Sequence, residues 1–591
     1  MTLAQLNIHK QKLQLLGQQK RYEEAEKLSI EILTYHPNEA NVWFALGQIR
    51  TALNKPAPAL EAYARCVQLP SGHRNRALKA ICDLTHRLGL YKDGFKAANA
   101  WLQQDNNNPE ALFRCGDFLW KLKRVSEAKA AFRKIIELNP ENTKLKIATA
   151  SAMALTGDFD AFYRLLDGIN ATANQHLIAA SRAMYSNYPD SFSNDDVFAM
   201  HQAFGNQLEA DIEETGSRNV EPLADRKIRI GYLSPDLWRH SVAYFLLPIL
   251  EAHDRERFEI FCYADGSRND EVTEILQGLS DHWRTTADKS NAELHGLIIE
   301  DKIDVLFDLA ALTHEGRRME VFARRSAPIQ INYLGYPNTS GLTRMDYRIV
   351  DTHTDPESQS QALHTEKLLY PAPSFLCFSP TEDTPGVAPL PALTNGHVTF
   401  GAFNAFLKIT PKMLRIWADI LNEITNSELI IKSEVLLDPL TRKQIATTFE
   451  QNGVDPGRVS LEGSTAGRFE HLNYYNRVDI HLDTFPYNGT TTTLEAAWMG
   501  VPTITLCGTN HRSRVGNSIL RNLGLGQFIA ESAQDYVNVA KAQTMQPDAL
   551  ASLRESLREQ VKSSAIMDKE SFVSALEESL ESLVRASQIE H

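Results

Sequence analysis

The residues best suited to chemistry in this 591-residue sequence lie in the segment 482–495, LDTFPYNGTTTTLE. Its pattern predicts a strand, a turn with proline and glycine, and a helix opened by four threonines. The N-terminus of a helix offers unpaired N–H groups and the positive end of the helix dipole, and both suit phosphate. One threonine would be enough to cap the helix, so four favour an anion site that includes Thr490, Thr491 and Thr492. Glu495, one turn further, is a candidate to accept hydrogen bonds from ribose hydroxyls.

The second candidate is the loop 401–411, GAFNAFLKITP, which carries one lysine after a predicted strand. A cation at the carboxyl end of a strand would stabilise the charge on a departing diphosphate. Lys408 is therefore a candidate catalytic group, and Asn404 in the same loop is a candidate donor-binding residue. The alternative is that Lys408 is a solvated surface group, the commoner state of a lysine in a loop.

A third loop, 234–244 (SPDLWRHSVAY), brings Asp236 and His240 together after the first strand of the α/β region. Histidine titrates near neutrality and serves in general acid–base catalysis or in hydrogen bonding to a sugar. The alternative is that Asp236 caps the helix that follows. A fourth loop, LGYPNTSG, is rich in small and polar groups, and its Gly335 and Pro337 are candidates to line the same cleft.

Composition and missing motifs exclude several functions. Lys and Arg total 61 and Asp and Glu total 74, giving a net charge of −13, which disfavours general nucleic-acid binding. Six cysteines occur singly without a C-x-x-C pair, and no apolar run approaches the ~20 residues of a membrane span. These features predict a cytoplasmic protein. The absence of G-x-S-x-G, Walker, H-E-x-x-H and G-x-G-x-x-G motifs weakens hydrolase, nucleotidase, metalloprotease and dehydrogenase functions.

The elements that must position these loops form two alternating series. Short apolar runs alternate with helical stretches after residue 226, which predicts mostly parallel, doubly wound sheets. The predicted strands are 227–234, 258–264, 303–309, 329–334 and 347–350 in the first series and 397–400, 428–432, 459–461, 479–483 and 503–506 in the second. A Pro-rich linker separates two Rossmann-like halves, 226–385 and 386–591, the latter ending in charged helices. Ligands of such sheets bind beyond the carboxyl ends of the strands.

The first third of the chain is repetitive. Small residues recur every 34 or 35 positions within similar segments, and a proline closes each unit; they are Ala25, Ala59, Gly94 and Ala128. This period resembles the tetratricopeptide repeat, in which two antiparallel helices touch where a side chain is nearly absent. We predict a repeat domain over 1–185 and a helical linker over 186–225. Concave repeat surfaces bind peptides. The acidic triplet 158–160 is interpreted as a repeat turn rather than a metal site.

Together with the repeats, four ordered motifs carry a resemblance to a known family. They are RIGYLSPD, the segment RxAPIQxxxLGYP at 325–337, FNxxxKI and LDTFPYNGTTTT. They resemble the O-linked N-acetylglucosamine transferase family and, within it, the SPINDLY branch. The resemblance implies an α/β GT-B fold preceded by an all-α tetratricopeptide-repeat solenoid. It also implies an inverting, metal-independent transfer of one sugar to Ser or Thr of proteins, with no cofactor beyond the nucleotide sugar.

The resemblance also implies roles for donor-binding residues. Lys408 would hold the donor diphosphate and steady the leaving group, and Thr491 and Thr492 would bind the phosphates. Glu495 matches an acid on the ribose, and His471 matches a histidine that stacks on the base. His471 suits either base, so the donor stays open between UDP-N-acetylglucosamine and GDP-fucose.

Further matches lie around these residues. Ala466 and Arg468 belong to the base-binding loop, and His240 and Asp236 match a histidine and an aspartate near the reacting hydroxyl. His201, in HQAFG, matches a histidine just before the catalytic region. The departures are Ala405, Phe406 and Leu407 beside the lysine, and Ser241 in place of a proline.

Three functions follow from these features. The first is an active protein O-glycosyltransferase with peptide acceptors in the repeat groove and a homodimer as one candidate assembly. The second is a decayed repeat scaffold that only binds peptide partners. The third is a transferase that acts on a small molecule or a lipid, which the peptide-binding repeat disfavours. Retention of the lysine, the threonine run and the histidine favours the first.

Overall fold

A computed structural model describes the chain except for residues 170–174, 224–225, 317, 381–382, 466 and 590–591. The chain divides into two units, Met1–Ile169 and Asn170–His591. In the described ranges, no helix combines the length and the apolar character that crossing a lipid bilayer requires. The sequence predicts that the repeat domain ends at residue 185, whereas the helix Gln175–Tyr185 belongs to the second unit, where it packs on the helix that follows it.

The first unit, which is described throughout, consists of helices that pack as consecutive antiparallel pairs. They are α1 (Leu3–Gln18), α2 (Tyr22–Tyr35), α3 (Ala40–Ala52), α4 (Pro56–Gln68), α5 (Arg74–Arg87), α6 (Tyr91–Leu102), α7 (Pro109–Lys121), α8 (Val125–Leu138), α9 (Thr143–Leu155) and α10 (Phe159–Asp167). The repeat predicted from the small residues is therefore confirmed.

The recurring small residues lie where helices touch. Ala25, Ala59 and Ala128 are fully buried. At Gly94, an added Cβ would come within 2.3 Å of the Phe118 ring. A larger side chain at any of these positions would push neighbouring helices apart, since the interior is close-packed.

The acidic triplet lies in a repeat turn, as predicted. Asp158 caps α10 by accepting a hydrogen bond from the Ala161 N–H at 3.2 Å. The same carboxylate pairs with Lys129 at 3.2 Å and with Arg133 at 2.8 Å. It is therefore a helix cap held by two cations.

The second unit opens with α11 (Gln175–Tyr185) and α12 (Asn194–Asp211), followed by a parallel sheet. Its strand order is β3-β2-β1-β4-β5-β6-β7. The strands are β1 (Ile228–Ser234), β2 (Phe258–Ala264), β3 (His282–Thr285), β4 (Val305–Asp308), β5 (Ile329–Asn332), β6 (Tyr347–Ile349) and β7 (Lys367–Leu369), and the helices are α13 (Ser241–Ala252), α14 (Glu271–Gly278), α15 (Asn291–Glu300), α16 (Met319–Ala323) and α17 (Glu357–Ser360).

A second parallel sheet follows, with the order β10-β9-β8-β11-β12-β13. Its strands are β8 (Val398–Ala402), β9 (Ser427–Lys432), β10 (Val459–Glu462), β11 (Ile480–Leu482), β12 (Thr503–Leu506) and β13 (Ile529–Ala530), and its helices are α18 (Ala392–Asn395), α19 (Pro411–Glu423), α20 (Pro439–Gln451), α21 (Arg468–Asn473), α22 (Thr491–Trp498), α23 (Val515–Asn522), α24 (Ala533–Thr544), α25 (Pro547–Lys562) and α26 (Lys569–Ile589). The two doubly wound halves match the predicted fold class.

The strands that the sequence does not predict are β3, β7 and β13. Each lies at the edge of its sheet, and none has more than four residues. Edge strands face solvent and lack the continuous apolar run that marks a central parallel strand. The HWRT sequence of β3 is a clear case, since none of its residues is fully buried.

The two halves are joined by buried polar contacts as well as by the linker. The last helix, α26, packs back on α13 of the first half, where buried Glu577 accepts a 2.8 Å hydrogen bond from His253. On another side, Asp355 of the first half contacts His511 of the second at 2.6 Å. The charged C-terminal helices therefore pack on the two Rossmann-like halves, as predicted.

Helix α12 is fixed tightly to the LGYPNTSG loop. An added Cβ at Gly205 would lie 1.7 Å from the Gly341 carbonyl oxygen, and Gly341 has a φ of +81° that favours glycine. His201 is fully buried between the Val197 carbonyl and the Tyr336 hydroxyl, 2.7 Å from each. Burial lowers the pKa of His201 to about 4, so its ring is neutral at physiological pH. The HQAFG motif therefore serves packing.

We expect Gly205→Ala to destabilise the second unit by about 1–3 kcal/mol, because the new methyl group would collide with rigid backbone. Calorimetry of the full chain would show a lower melting temperature. Gly296→Ala is the matched control, because an added Cβ in α15 meets nothing within 4 Å. Equal melting temperatures for the two variants would contradict the close packing.

Candidate active site

A buried carboxylate organises the turn that precedes α22. Asp483 follows β11 and is fully buried. One of its oxygens accepts from the Gly489 N–H at 2.7 Å, the Thr484 N–H at 2.8 Å and the Asn404 amide at 3.2 Å. The other accepts from the Thr505 hydroxyl at 2.7 Å. Burial raises the pKa of Asp483 to about 6, against the opposing effect of these donors.

Asn404 connects the loop after β8 to the first turn of α22. Its amide also donates to the Thr484 hydroxyl at 3.1 Å, and its oxygen accepts from the Thr492 hydroxyl. An added Cβ at Gly489 would lie 2.4 Å from the Thr492 hydroxyl and 2.7 Å from the Asn404 oxygen. Glycine is therefore required here, and two loops predicted separately meet at adjacent strands.

Lys408 points at the start of the threonine-led helix. Its ammonium donates to the Asn488 carbonyl at 2.9 Å and lies 3.7 Å from the centroid of the Tyr487 ring. Burial lowers the pKa of Lys408 to about 8, although the charge of Asp483 acts to raise it. Lys408 is thus not a solvated surface group, and the alternative considered from the sequence is wrong.

The segment between α11 and α12 packs against Tyr487, the residue whose ring contacts Lys408. The Tyr188 ring packs on Tyr487 with centroids 5.4 Å apart. The Arg512 guanidinium donates to the Ser186 carbonyl at 2.7 Å. Nothing in the sequence indicated Tyr188, because its contact joins residues about 300 positions apart.

The four threonines divide into two pairs. Thr493 donates to the Gly489 carbonyl at 3.1 Å, and Thr492 donates to Asn404, so both fix the turn. The hydroxyls of Thr490 and Thr491 make no hydrogen bond among the described residues and are half-buried. The first N–H groups of a helix also lack intrahelical partners. This end of α22 can therefore donate several hydrogen bonds to an anion.

Glu495 lies within a chain of charged and polar groups. It is 4% exposed and contacts Arg468 at 2.9 Å and His471 at 3.1 Å. Burial acts to raise the pKa of Glu495, but His471 and Arg468 outweigh it and lower the pKa. Lys432 lies 2.7 Å from the other nitrogen of His471, so a neutral His471 accepts from Lys432 and donates to Glu495.

The structure thus brings three predicted donor-binding residues together and adds Lys432, which the sequence analysis missed. The sequence feature that could have identified Lys432 is a charged residue at the end of the buried strand β9. Ala466 lies outside the described residues. The ribose and base roles of Glu495, His471 and Arg468 remain predictions, and both oxygens of Glu495 are engaged by protein groups here.

Helix α13 brings the first half to this network. The Tyr244 ring lies 4.3 Å from the Arg468 guanidinium carbon. His240 caps the same helix by accepting from the Val242 N–H at 3.3 Å. Asp236 lies 3.8 Å from His240 and does not cap α13, so that alternative was wrong.

Gly335 and Pro337 lie in the first half. An added Cβ at Gly335 would come within 1.7 Å of the Leu309 carbonyl oxygen, so this glycine allows the loops after β4 and β5 to cross closely. Pro337 is buried in the same loop, where the Arg348 guanidinium donates to the Tyr336 carbonyl at 2.8 Å. These contacts explain the conformation of the loop, and the donor-binding role of both residues stays a prediction.

Two Rossmann-like halves joined by a linker agree with the predicted GT-B glycosyltransferase fold. The sequence profile of glycosyl transferase family 41 matches residues 215–379 and 390–576, and that of the tetratricopeptide repeat matches residues 109–142. The chain therefore belongs to glycosyl transferase family 41.

Named relatives agree with this assignment. A rice (Oryza sativa subsp. japonica) protein called "Probable UDP-N-acetylglucosamine--peptide N-acetylglucosaminyltransferase SPINDLY" is 37% identical over 412 residues, covering 68% of this chain and 44% of that protein. The Arabidopsis thaliana protein with the same description and the name SEC is 29% identical over 364 residues, covering 60% of this chain and 37% of its own length. The chain spans less than half the length of these relatives.

A solved structure is similar over most of the chain. It is a lysine-to-methionine mutant of the Thermobaculum terrenum O-GlcNAc transferase, with 31% sequence identity and a TM-score of 0.81. The match covers 87% of this chain and 98% of that one. Both the repeats and the GT-B halves therefore have a counterpart in one protein.

Asp483→Ala should destabilise the protein by on the order of 3 kcal/mol or more, because several buried donors would lose their acceptor. Asp483→Asn should cost much less, since the amide oxygen replaces the main acceptor and the Thr505 hydroxyl can accept from the amide nitrogen. Denaturant unfolding of both variants measures the difference. An equal decrease in the free energy of unfolding for both variants would show that the hydrogen bonds of Asp483 do not stabilise the turn.

Proposed function

We propose that this chain transfers one monosaccharide from a nucleotide diphosphate sugar to serine or threonine hydroxyls of proteins. The observation that carries the proposal is the Lys408 ammonium, set 2.9 Å from the Asn488 carbonyl at the entrance to α22. A buried cation, two available hydroxyls and a helix N-terminus converge there. The names of the relatives, which are peptide N-acetylglucosaminyltransferases, support a protein acceptor.

In this proposal the diphosphate leaves without a cofactor or a metal ion. The Lys408 ammonium and the first N–H groups of α22 neutralise the charge that develops on the leaving oxygen. Among the described residues, no three His, Cys, Asp or Glu side chains are grouped as metal ligands. The proposal assigns charge neutralisation at this position to the lysine, the threonine hydroxyls and the backbone N–H groups.

The transfer proceeds by a single displacement that inverts the anomeric carbon. The acceptor oxygen forms a bond to that carbon while the bond to the diphosphate oxygen breaks, and the acceptor proton passes to a base. While Nδ1 of His240 accepts from Val242, a neutral ring carries its proton on Nε2 and donates a hydrogen bond. We therefore assign proton acceptance to the Asp236 carboxylate and hydrogen-bond donation to His240.

The donor is either UDP-N-acetylglucosamine or GDP-fucose. The network of Lys432, His471, Glu495 and Arg468 carries donors and acceptors that suit a ribose and a base, and a histidine ring stacks on either base. A decayed scaffold, the alternative, has no use for a desolvated lysine beside an anion-binding helix. Binding of a nucleotide therefore distinguishes the enzyme from the scaffold.

Calorimetric titration of the full chain with UDP and with GDP tests the donor site. We expect one nucleotide to bind at least tenfold more tightly than the other. Combining Thr490→Val with Thr491→Val should weaken binding of that nucleotide by about tenfold or more, because the two hydroxyls that the protein leaves available could no longer donate to a charged phosphate. Thr34→Val in α2 is the control, and unaltered affinity in the double variant would refute the phosphate site.

Lys408→Ala should abolish transfer without unfolding the chain, and Lys443→Ala, on the exposed face of α20, should not. The ammonium is the form that binds the diphosphate, so nucleotide affinity should fall as pH rises through about 8. Asp483→Asn removes a nearby negative charge and should move that midpoint to lower pH. Transfer by a folded Lys408→Ala variant would remove the lysine from the mechanism.

A further inference from the structure

A cavity of about 320 Å³ lies at the carboxyl ends of β1, β2 and β4 in the first sheet. Strands β1 to β3 extend to one side of this sheet and β4 to β7 to the other, so the strand order changes direction at the cavity. Doubly wound sheets bind ligands at such a point. Asp236, to which the proposed function assigns proton acceptance, lines the cavity with Trp238 and Arg268. The conformation of these loops therefore decides where the proton acceptor lies.

Two neighbouring loops cross closely at this cavity. The loop after β1, residues 235–240, carries both groups that the proposed function uses for the proton, and it contains no helix or strand. It packs against the loop after β2, residues 265–270. An added Cβ at Gly266 would lie 2.3 Å from the Pro235 carbonyl oxygen. Because that contact is with backbone, a larger residue at position 266 would displace one of the loops.

Asp270 joins the second loop to the backbone of the first. One of its carboxylate oxygens caps α14 by accepting from the Val272 and Thr273 N–H groups, each at 3.1 Å. The other oxygen accepts from the Arg239 N–H at 2.9 Å. Burial acts to raise the pKa of Asp270, but these donors outweigh it and lower the pKa. The charged carboxylate is therefore favoured in the folded chain, and it holds the residue that directly precedes His240.

An aromatic side chain makes a second connection between the loops. The Arg268 guanidinium carbon lies 4.2 Å from the centroid of the Trp238 ring. The same ring contacts the His240 imidazole, with centroids 5.4 Å apart and an interplanar angle of 39°. A guanidinium stacked on a ring restricts the rotation of that ring. Arg268 therefore acts on the orientation of His240 through Trp238.

We propose that the loop 265–270 positions the loop 235–240 for the transfer step, with Asp270 and Arg268 as its positioning residues. The inference rests on the proposed function, in which the loop 235–240 supplies the proton acceptor and a hydrogen-bond donor. Reacting groups must lie within about 0.5 Å of the productive geometry, and a displacement of about 1 Å costs on the order of a hundredfold in rate. Loss of either positioning residue should therefore slow transfer without weakening nucleotide binding, which the proposed function assigns to the second Rossmann-like half.

Asp270→Asn separates positioning from the capping of α14. Asparagine caps a helix about as well as aspartate, but its amide nitrogen cannot accept the Arg239 N–H. We expect the apparent kcat to fall by about tenfold or more, with the KM for the donor, the nucleotide affinity and the melting temperature unchanged. Asp254→Asn is the matched control, because Asp254 accepts from the Glu256 N–H at 2.9 Å in the turn before β2, at the opposite end of that strand.

Arg268→Ala should lower the apparent kcat in the same way, and Arg268→Lys should restore part of it because a cation stays near the ring. In a chain that already carries Trp238→Leu, Arg268→Ala should cause no further loss, since both changes remove one contact. Arg124→Ala is the control, because Arg124 lies 5.0 Å from the centroid of the Phe95 ring in the first unit. Additive losses from Trp238→Leu and Arg268→Ala would contradict a shared contact.

Rates would be measured on the full chain with the sugar donor of the nucleotide that binds and a peptide mixture of random sequence around one serine or threonine. Hydrogen exchange of the segment 235–240, which needs no acceptor, should become faster in Asp270→Asn and Arg268→Ala. An unchanged kcat, equal losses in the controls, or a parallel loss of nucleotide affinity or melting temperature would overturn the inference. Unaffected variants of an active chain refute the positioning role alone, whereas absence of transfer by the unsubstituted chain refutes the proposed function and this inference together.

Discussion

Burial of the Asp483 carboxylate is the constraint on which the second Rossmann-like half depends. A carboxylate removed from water is unfavourable unless hydrogen-bond donors surround it. Here the donors come from the turn before α22, the loop after β8 and strand β12. Satisfying this one group therefore fixes the relative positions of three strands at their carboxyl ends. The direction of α22 follows from that arrangement.

Lys408 differs from Asp483 because its charge has few compensating partners within the protein. Its ammonium is largely desolvated, and no carboxylate lies within ion-pair distance of it among the described residues. A carbonyl and an aromatic face compensate only part of the lost hydration. The site therefore carries positive charge that the protein leaves incompletely neutralised, and an anionic ligand would relieve this cost.

Much of this site was predictable from the sequence, since motifs that follow strands mark the carboxyl edge of a parallel sheet. The threonine run and Lys408 were recognised in this way, and the structure brings them together. Asp483 lay inside a recognised motif, but its importance depends on partners from β12 and the Asn404 loop. Lys432 and Tyr188 act through contacts that no local pattern encodes. Capping of α13 by Asp236 was the alternative that the sequence left open, whereas the structure uses His240.

The return of α26 to α13 limits how the cleft can move. The polypeptide crosses between the lobes once through the proline-rich connection and again where the last helix docks beside His253. The Asp355–His511 contact is a further connection on another side. The two lobes are therefore held together at several places rather than by the linker alone. The last helix of one lobe thus forms part of the buried core of the other.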